Sequence, residues 1–96
     1  MRLTNKQVDI IKATIVKYIS DAKIILFGSR VDDSKKGGDI DLFVETKQNI
    51  KLRSEIKILT ELELCGILRK VDLLIKTPYK KEQNIYKTIY QQGIIL

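Results

Sequence analysis

The 96-residue sequence contains no histidine and only one cysteine, Cys65. A lone cysteine cannot close a disulfide within the chain, which agrees with a reducing compartment. Without histidine, the usual ligand set of a zinc site cannot be assembled, and hard oxygen ligands for Mg²⁺ or Mn²⁺ are what remain. We also expect Cys65 to be a small buried side chain at a helix end, because no histidine is present to activate it as a nucleophile.

Long apolar runs are also absent from the sequence. None approaches the roughly 20 residues that a membrane span requires, and the polar N-terminus is unlike a signal peptide. We therefore expect a cytoplasmic protein with no membrane partner. The length predicts one domain over residues 1–96, near the lower size limit for a fold that depends on a single apolar core.

Positive charge exceeds negative charge in this sequence. The formal net charge is +6 and the isoelectric point is near 9.5, which favours a polyanionic partner such as a nucleotide, a nucleic acid or an acidic protein surface. The lysines are spread along the whole chain, however, as they are on an ordinary solvated surface. A dedicated nucleic-acid surface is therefore the less favoured interpretation.

Apolar periodicity and turn residues divide the chain into alternating helices and strands. A capping box of Thr4 and Gln7 predicts the start of the first helix, which ends near Ser20. Gly93 is predicted to end the last helix, whose two tyrosines, Tyr86 and Tyr90, favour packing with hydroxyls in water over stacking on bases. Between these two helices we predict a strand at 23–27, a strand at 39–44, a helix from about 50 to 65 with Gly66 as its C-cap, and a strand within 67–75. The last helix is predicted at 81–92. The apolar tail at 94–96 either closes the core or meets a partner, and we favour the core.

Three aspartates stand at strand positions. Asp39 and Asp41 are two residues apart, so they share one face of a strand. Asp72 alternates with apolar residues in a later strand, and it joins the same face if the two strands are neighbours. Alternatively, Asp72 only marks the solvent-facing side of the sheet. Three adjacent carboxylates raise one another's pKa unless cations neutralise them, so such a cluster favours metal binding. The turn at Gly28 and Ser29 offers backbone amides and a hydroxyl to a phosphate. The pattern therefore predicts a metal-dependent nucleotide site.

These residues resemble a known signature. Gly28-Ser29-Arg30, a loop of about nine residues and then Asp39-Ile40-Asp41-Leu42 resemble the polymerase-β-like nucleotidyltransferase superfamily, and the short chain most resembles its minimal nucleotidyltransferase branch. Asp72 matches the third carboxylate of that family, and the resemblance extends from residue 24 to about residue 75. It implies an α/β (α+β) fold with a small mixed sheet flanked by helices.

The resemblance also implies roles for the site residues. Asp39 and Asp41 would bind Mg²⁺, with Mn²⁺ possible, and Asp72 would help to hold a second ion and draw the proton from the incoming hydroxyl. Gly28 and Ser29 would hold the β- and γ-phosphates of ATP, with Arg30 beside them.

Proteins of the minimal branch are typically antitoxins that inactivate a small helical HEPN toxin, an RNase, by adding AMP from ATP to a tyrosine. The first expectation is therefore a Mg²⁺-dependent protein adenylyltransferase antitoxin. A second interpretation is an antitoxin or interaction module that neutralises its partner by binding alone. A third is a nucleotidyltransferase that acts on RNA ends, which only the positive charge supports.

Overall fold

The computed structural model describes residues 3–28 and 38–96. Ser29 and Arg30, two of the predicted nucleotide-binding residues, lie outside the described residues. The described ranges contain three helices and four strands. In chain order these elements are α1 (Asn5–Tyr18), β1 (Lys23–Phe27), β2 (Ile40–Glu45), α2 (Leu52–Leu64), β3 (Val71–Lys76), α3 (Ile85–Gln92) and β4 (Ile94–Ile95).

The four strands form one mixed sheet in the order β3-β2-β1-β4. β1 is antiparallel to both β2 and β4, whereas β2 and β3 are parallel. A parallel pair requires a crossover connection, and α2 supplies it. This architecture confirms the predicted α/β fold with a small mixed sheet flanked by helices.

Each face of the sheet is covered by different helices. Alternate residues of β2, namely Ile40, Leu42 and Val44, belong to the larger apolar core, to which α1 and α2 also contribute. On the opposite face, Phe43 packs in a smaller cluster with two residues of α3, Tyr86 and Ile89. Because side chains alternate along a strand, Asp41 lies on the same face as Phe43 and therefore on the side of α3.

Local signals in the sequence set the helix ends. Thr4 accepts a hydrogen bond from the Gln7 amide at 3.1 Å and its own amide donates to the Gln7 side chain at 2.9 Å, which is the predicted capping box. At the end of α2, Gly66 adopts a φ of 106°. Its amide and that of Ile67 bond back to the carbonyls of Glu63 and Leu62, as in a Schellman motif. This turn directs the chain from α2 towards β3.

Several predicted boundaries differ from the structure. The second strand begins at Ile40, one residue after Asp39, and the last helix begins at Ile85 instead of residue 81. The apolar tail at 94–96, which we expected to close the core, forms β4 against β1 at Ile94–Ile95. The Leu96 amide donates to the Ile24 carbonyl, and Leu96 packs on the larger core. The preference for a core role is thus confirmed for Leu96.

Two expectations about burial are wrong. Cys65 is exposed, because it is the C-cap residue and lies beyond the last helical residue of α2, Leu64. Tyr86 was expected to keep its hydroxyl in water, but only 1% of its surface is exposed because Phe43 and the other residues of the smaller cluster enclose it.

No helix in residues 3–28 and 38–96 is long and apolar enough to cross a bilayer.

Candidate active site

The register of the sheet determines where the aspartates lie. Across the β1–β2 pair, Phe27 is opposite Asp41. Across the parallel β2–β3 pair, Asp41 is aligned with Asp72. Residues aligned in this way project from the same face, so the carboxylates of Asp41 and Asp72 are neighbours. The structure therefore brings Asp72 to the side of Asp41 and not to the far side of the sheet.

Asp41 lies in an environment that disfavours its negative charge. Burial raises the pKa of the half-buried Asp41 carboxyl most, and the charge of Asp72, a hydrogen bond with Asp72 and the charge of Asp39 raise this pKa further. The positive charge of Lys70 lowers it by a smaller amount. Asp39 and Asp72 therefore both lie close enough to act on the Asp41 carboxyl.

Lys70 is a functional candidate that the sequence patterns did not reveal. Its ammonium lies 3.6 Å from an oxygen of Asp72, and its backbone carbonyl accepts a hydrogen bond from the Ile40 amide. The available signal was its position two residues before Asp72, which places both on one face of an extended segment. This spacing becomes informative only when β2 is known to be the strand that pairs with β3.

Gly28 borders the aspartates directly. It follows β1 with a φ of 75°, a conformation that residues with a Cβ rarely adopt. A Cβ built on Gly28 would overlap a carboxylate oxygen of Asp41. Two independent constraints, backbone conformation and space, therefore favour glycine here. The backbone of the turn consequently lies within reach of any group that the carboxylates hold.

The donor chemistry of this cluster fits a hard divalent cation. Its side chains supply only carboxylate oxygens, and Asp41 gains from any positive charge that relieves the repulsion described above. The three side chains are not gathered into a closed ligand set, since no group of three acidic, histidine or cysteine side chains within the described ranges is arranged to hold an ion. We therefore name Asp39, Asp41 and Asp72 as residues able to contribute ligands, without assigning a coordination geometry.

Comparison with protein families places the chain in a known class. Residues 5–96 match the family described as polymerase beta, nucleotidyltransferase. The match covers nearly the whole chain, and the chain therefore belongs to the polymerase-β nucleotidyltransferase family. A search of curated proteins found no match.

Proposed function

We propose that this protein is a Mg²⁺-dependent nucleotidyltransferase whose active centre is the aspartate cluster beside Gly28. The observation that carries the proposal is the alignment of Asp41 with Asp72 across β2 and β3, next to a turn at Gly28 where a Cβ would overlap the Asp41 carboxylate. Membership of the nucleotidyltransferase family supports it independently. Asp39, Asp41 and Asp72 would hold the metal ions, and Gly28, Ser29 and Arg30 would hold the triphosphate of ATP.

The different burial of the aspartates suggests a division of labour. Bound divalent ions would neutralise the triphosphate and orient it for in-line displacement. Asp41 is half-buried and fixed within β2, so it suits a structural ligand role. Asp72 is exposed, so an incoming acceptor hydroxyl can approach it and give up its proton there. The acceptor oxygen then bonds to the α-phosphorus as the bond to pyrophosphate breaks.

We further propose that the acceptor is a protein. The resemblance to the minimal nucleotidyltransferase branch supports a specific form of this proposal, in which the chain is an antitoxin that adds AMP to a tyrosine of a HEPN-type RNase toxin. In that role the protein would act in the cytoplasm on a single cognate partner. ATP is the expected nucleotide on the same ground.

Two other functions compete with protein adenylylation. Three large apolar side chains on the outer side of α2, Leu52, Ile56 and Leu64, are 55–82% exposed, which favours a protein that neutralises its partner by binding alone. The net charge of +6 favours an enzyme that modifies RNA ends. Each alternative predicts a different destination for the label in one experiment.

The deciding experiment supplies ATP labelled in either the α- or the γ-phosphate, with Mg²⁺, to the protein and the macromolecules that co-purify with it. We expect α-label, and no γ-label, on a partner protein. Label on RNA would support the RNA-end enzyme, and a tight complex without label would support neutralisation by binding. Removing Mg²⁺ with a chelator should stop the transfer.

Substitution of the aspartates tests the site itself. Asp39→Asn or Asp41→Asn should lower transfer by at least about a hundredfold, because each removes a charged ligand from the centre. Asp9→Asn is the matched control, since Asp9 is an exposed aspartate of α1. If both site variants retain wild-type transfer while remaining folded, the cluster is not the active centre.

A further inference from the structure

A cavity lies at the opposite end of the strands from the aspartates. It has a volume of about 680 Å³, within the range of small-molecule sites. Asp41 and Glu45 are four residues apart on β2, so this cavity, the distal pocket, begins about 13 Å from the aspartate cluster. Its charged lining includes Asp21, Lys23, Glu45, Lys47, Lys76 and Lys80.

The carboxylates of the distal pocket already have partners. Asp21 accepts hydrogen bonds from the Thr46 hydroxyl, the Lys47 amide and the Gln48 side chain, and these bonds lower its pKa, with the Thr46 bond contributing most. Glu45 accepts a hydrogen bond from the Tyr90 hydroxyl at 2.6 Å. The third pocket carboxylate, Glu82, lies 3.8 Å from the Lys76 ammonium. Each of these three carboxylates therefore already interacts with at least one donor or cation.

The lysines of the distal pocket are less satisfied. Among the described residues, the ammoniums of Lys23, Lys47 and Lys80 form no ion pair with a carboxylate. Lys23 lies 5.6 Å from the centre of the Tyr90 ring, and Lys80 donates to the carbonyl of Ile75 at 3.1 Å. Each ammonium carries three donors, so most of this donor capacity remains for a ligand that brings acceptor oxygens.

We propose that the distal pocket binds a small phosphate-bearing molecule through Lys23, Lys47 and Lys80. A phosphate group supplies several acceptor oxygens and negative charge, and lysine binds it as a point charge. The volume of about 680 Å³ matches that of small-molecule sites. This site is separate from the nucleotide site proposed at Gly28, and it does not depend on that proposal.

Titration of the protein with pyrophosphate and with AMP in the presence of a chelator tests this inference, because the chelator withholds metal from the aspartate cluster. We expect amide NMR shifts at Thr46, Lys47 and Thr77. The double variant Lys23→Gln and Lys47→Gln should weaken binding by about tenfold or more. Lys6→Gln with Lys12→Gln is the matched control, since it removes the same charge from exposed positions of α1.

The outcomes separate this site from the active centre. Asp41→Asn should bind AMP and pyrophosphate as the wild type does, even if it transfers no nucleotide. The inference is overturned if the shifts occur only around Gly28 and Asp41, or if the control pair weakens binding as much as the pocket pair. Binding of an RNA oligonucleotide without binding of either small phosphate would also overturn it.

Discussion

At the scale of single residues, Gly28 gives the sharpest test of the site. Gly28→Ala should lower nucleotide transfer about a hundredfold, because the added Cβ overlaps the Asp41 carboxylate and must displace it. The left-handed backbone should also cost about 1–3 kcal/mol of unfolding free energy. Steady-state transfer rates and urea denaturation measure the two effects separately.

Gly66 provides the matched control for this substitution. It also has a positive φ, yet a Cβ there would meet no atom within 4 Å. Gly66→Ala should therefore lose stability of the same order and keep its transfer rate. Equal losses of activity in the two variants would show that the Gly28 effect comes from stability alone.

Tyr86 illustrates a buried polar group without compensation. Its hydroxyl is buried and has no hydrogen-bond partner among the described residues, while its ring packs 5.3 Å from that of Phe43. Tyr86→Phe keeps the ring and removes the unpaired hydroxyl, so the free energy of unfolding should rise by up to about 1 kcal/mol. Tyr90→Phe removes the hydrogen bond to Glu45, so its free energy of unfolding should not rise. A fall in stability for Tyr86→Phe in urea denaturation would contradict this account.

At the scale of elements, Asp21 joins the turn after α1 to the turn after β2. Its carboxylate accepts hydrogen bonds from residues 46–48, and these lower its pKa below the ordinary value of about 3.9. A lowered pKa means that the ionised carboxylate stabilises the fold. This contribution is fully present above the unfolded-state pKa and is lost as the pH falls through the folded-state pKa.

Asp21→Ala should consequently lower the melting temperature at pH 7, and the difference from wild type should narrow as the pH falls below about 3.9. Thermal denaturation across pH measures this. Asp9→Ala removes an exposed aspartate from α1 and should show a much smaller difference. A gap between Asp21→Ala and wild type that stays constant down to pH 2 would exclude the carboxylate as its cause.

The elements also show which features a sequence reveals. The capping box at Thr4 and the glycine turn at Gly66 involve residues close in the chain, so their patterns predicted them. The spacing of Asp39 and Asp41 predicted a shared strand face, but Asp39 precedes β2, which begins at Ile40. The strand at Ile94–Ile95 has only two residues, too few for a periodic pattern, and its existence depends on β1 as a neighbour.

At the scale of the whole molecule, the remaining features depend on how distant segments meet. The alignment of Asp41 with Asp72 follows from the β2–β3 register, which no local pattern encodes. The position of Lys70 and the distal pocket likewise depend on the assembled sheet. The burial of the Tyr86 hydroxyl depends on the packing of α3 against that sheet. Prediction therefore supplied the candidate aspartates, and the structure supplied their arrangement.

Metal binding should stabilise the folded molecule as a whole. A ligand that binds only the native state adds about 2.7 kcal/mol at one hundred times its dissociation constant, so Mg²⁺ or Mn²⁺ should raise the melting temperature of the wild type. Asp41→Asn should abolish this rise, and Asp9→Asn should preserve it. Thermal shift with Na⁺ at matched ionic strength removes general salt effects. An equal rise in wild type and Asp41→Asn would show that the cations bind elsewhere.

The parallel pairing of β2 with β3 carries a consequence for biosynthesis. A nascent chain that has emerged only as far as α2 holds two of the three aspartates but lacks the strand that completes their neighbourhood. In the proposed mechanism the active site is complete only after β3 has paired with β2, so fragments that end before Val71 should transfer no nucleotide.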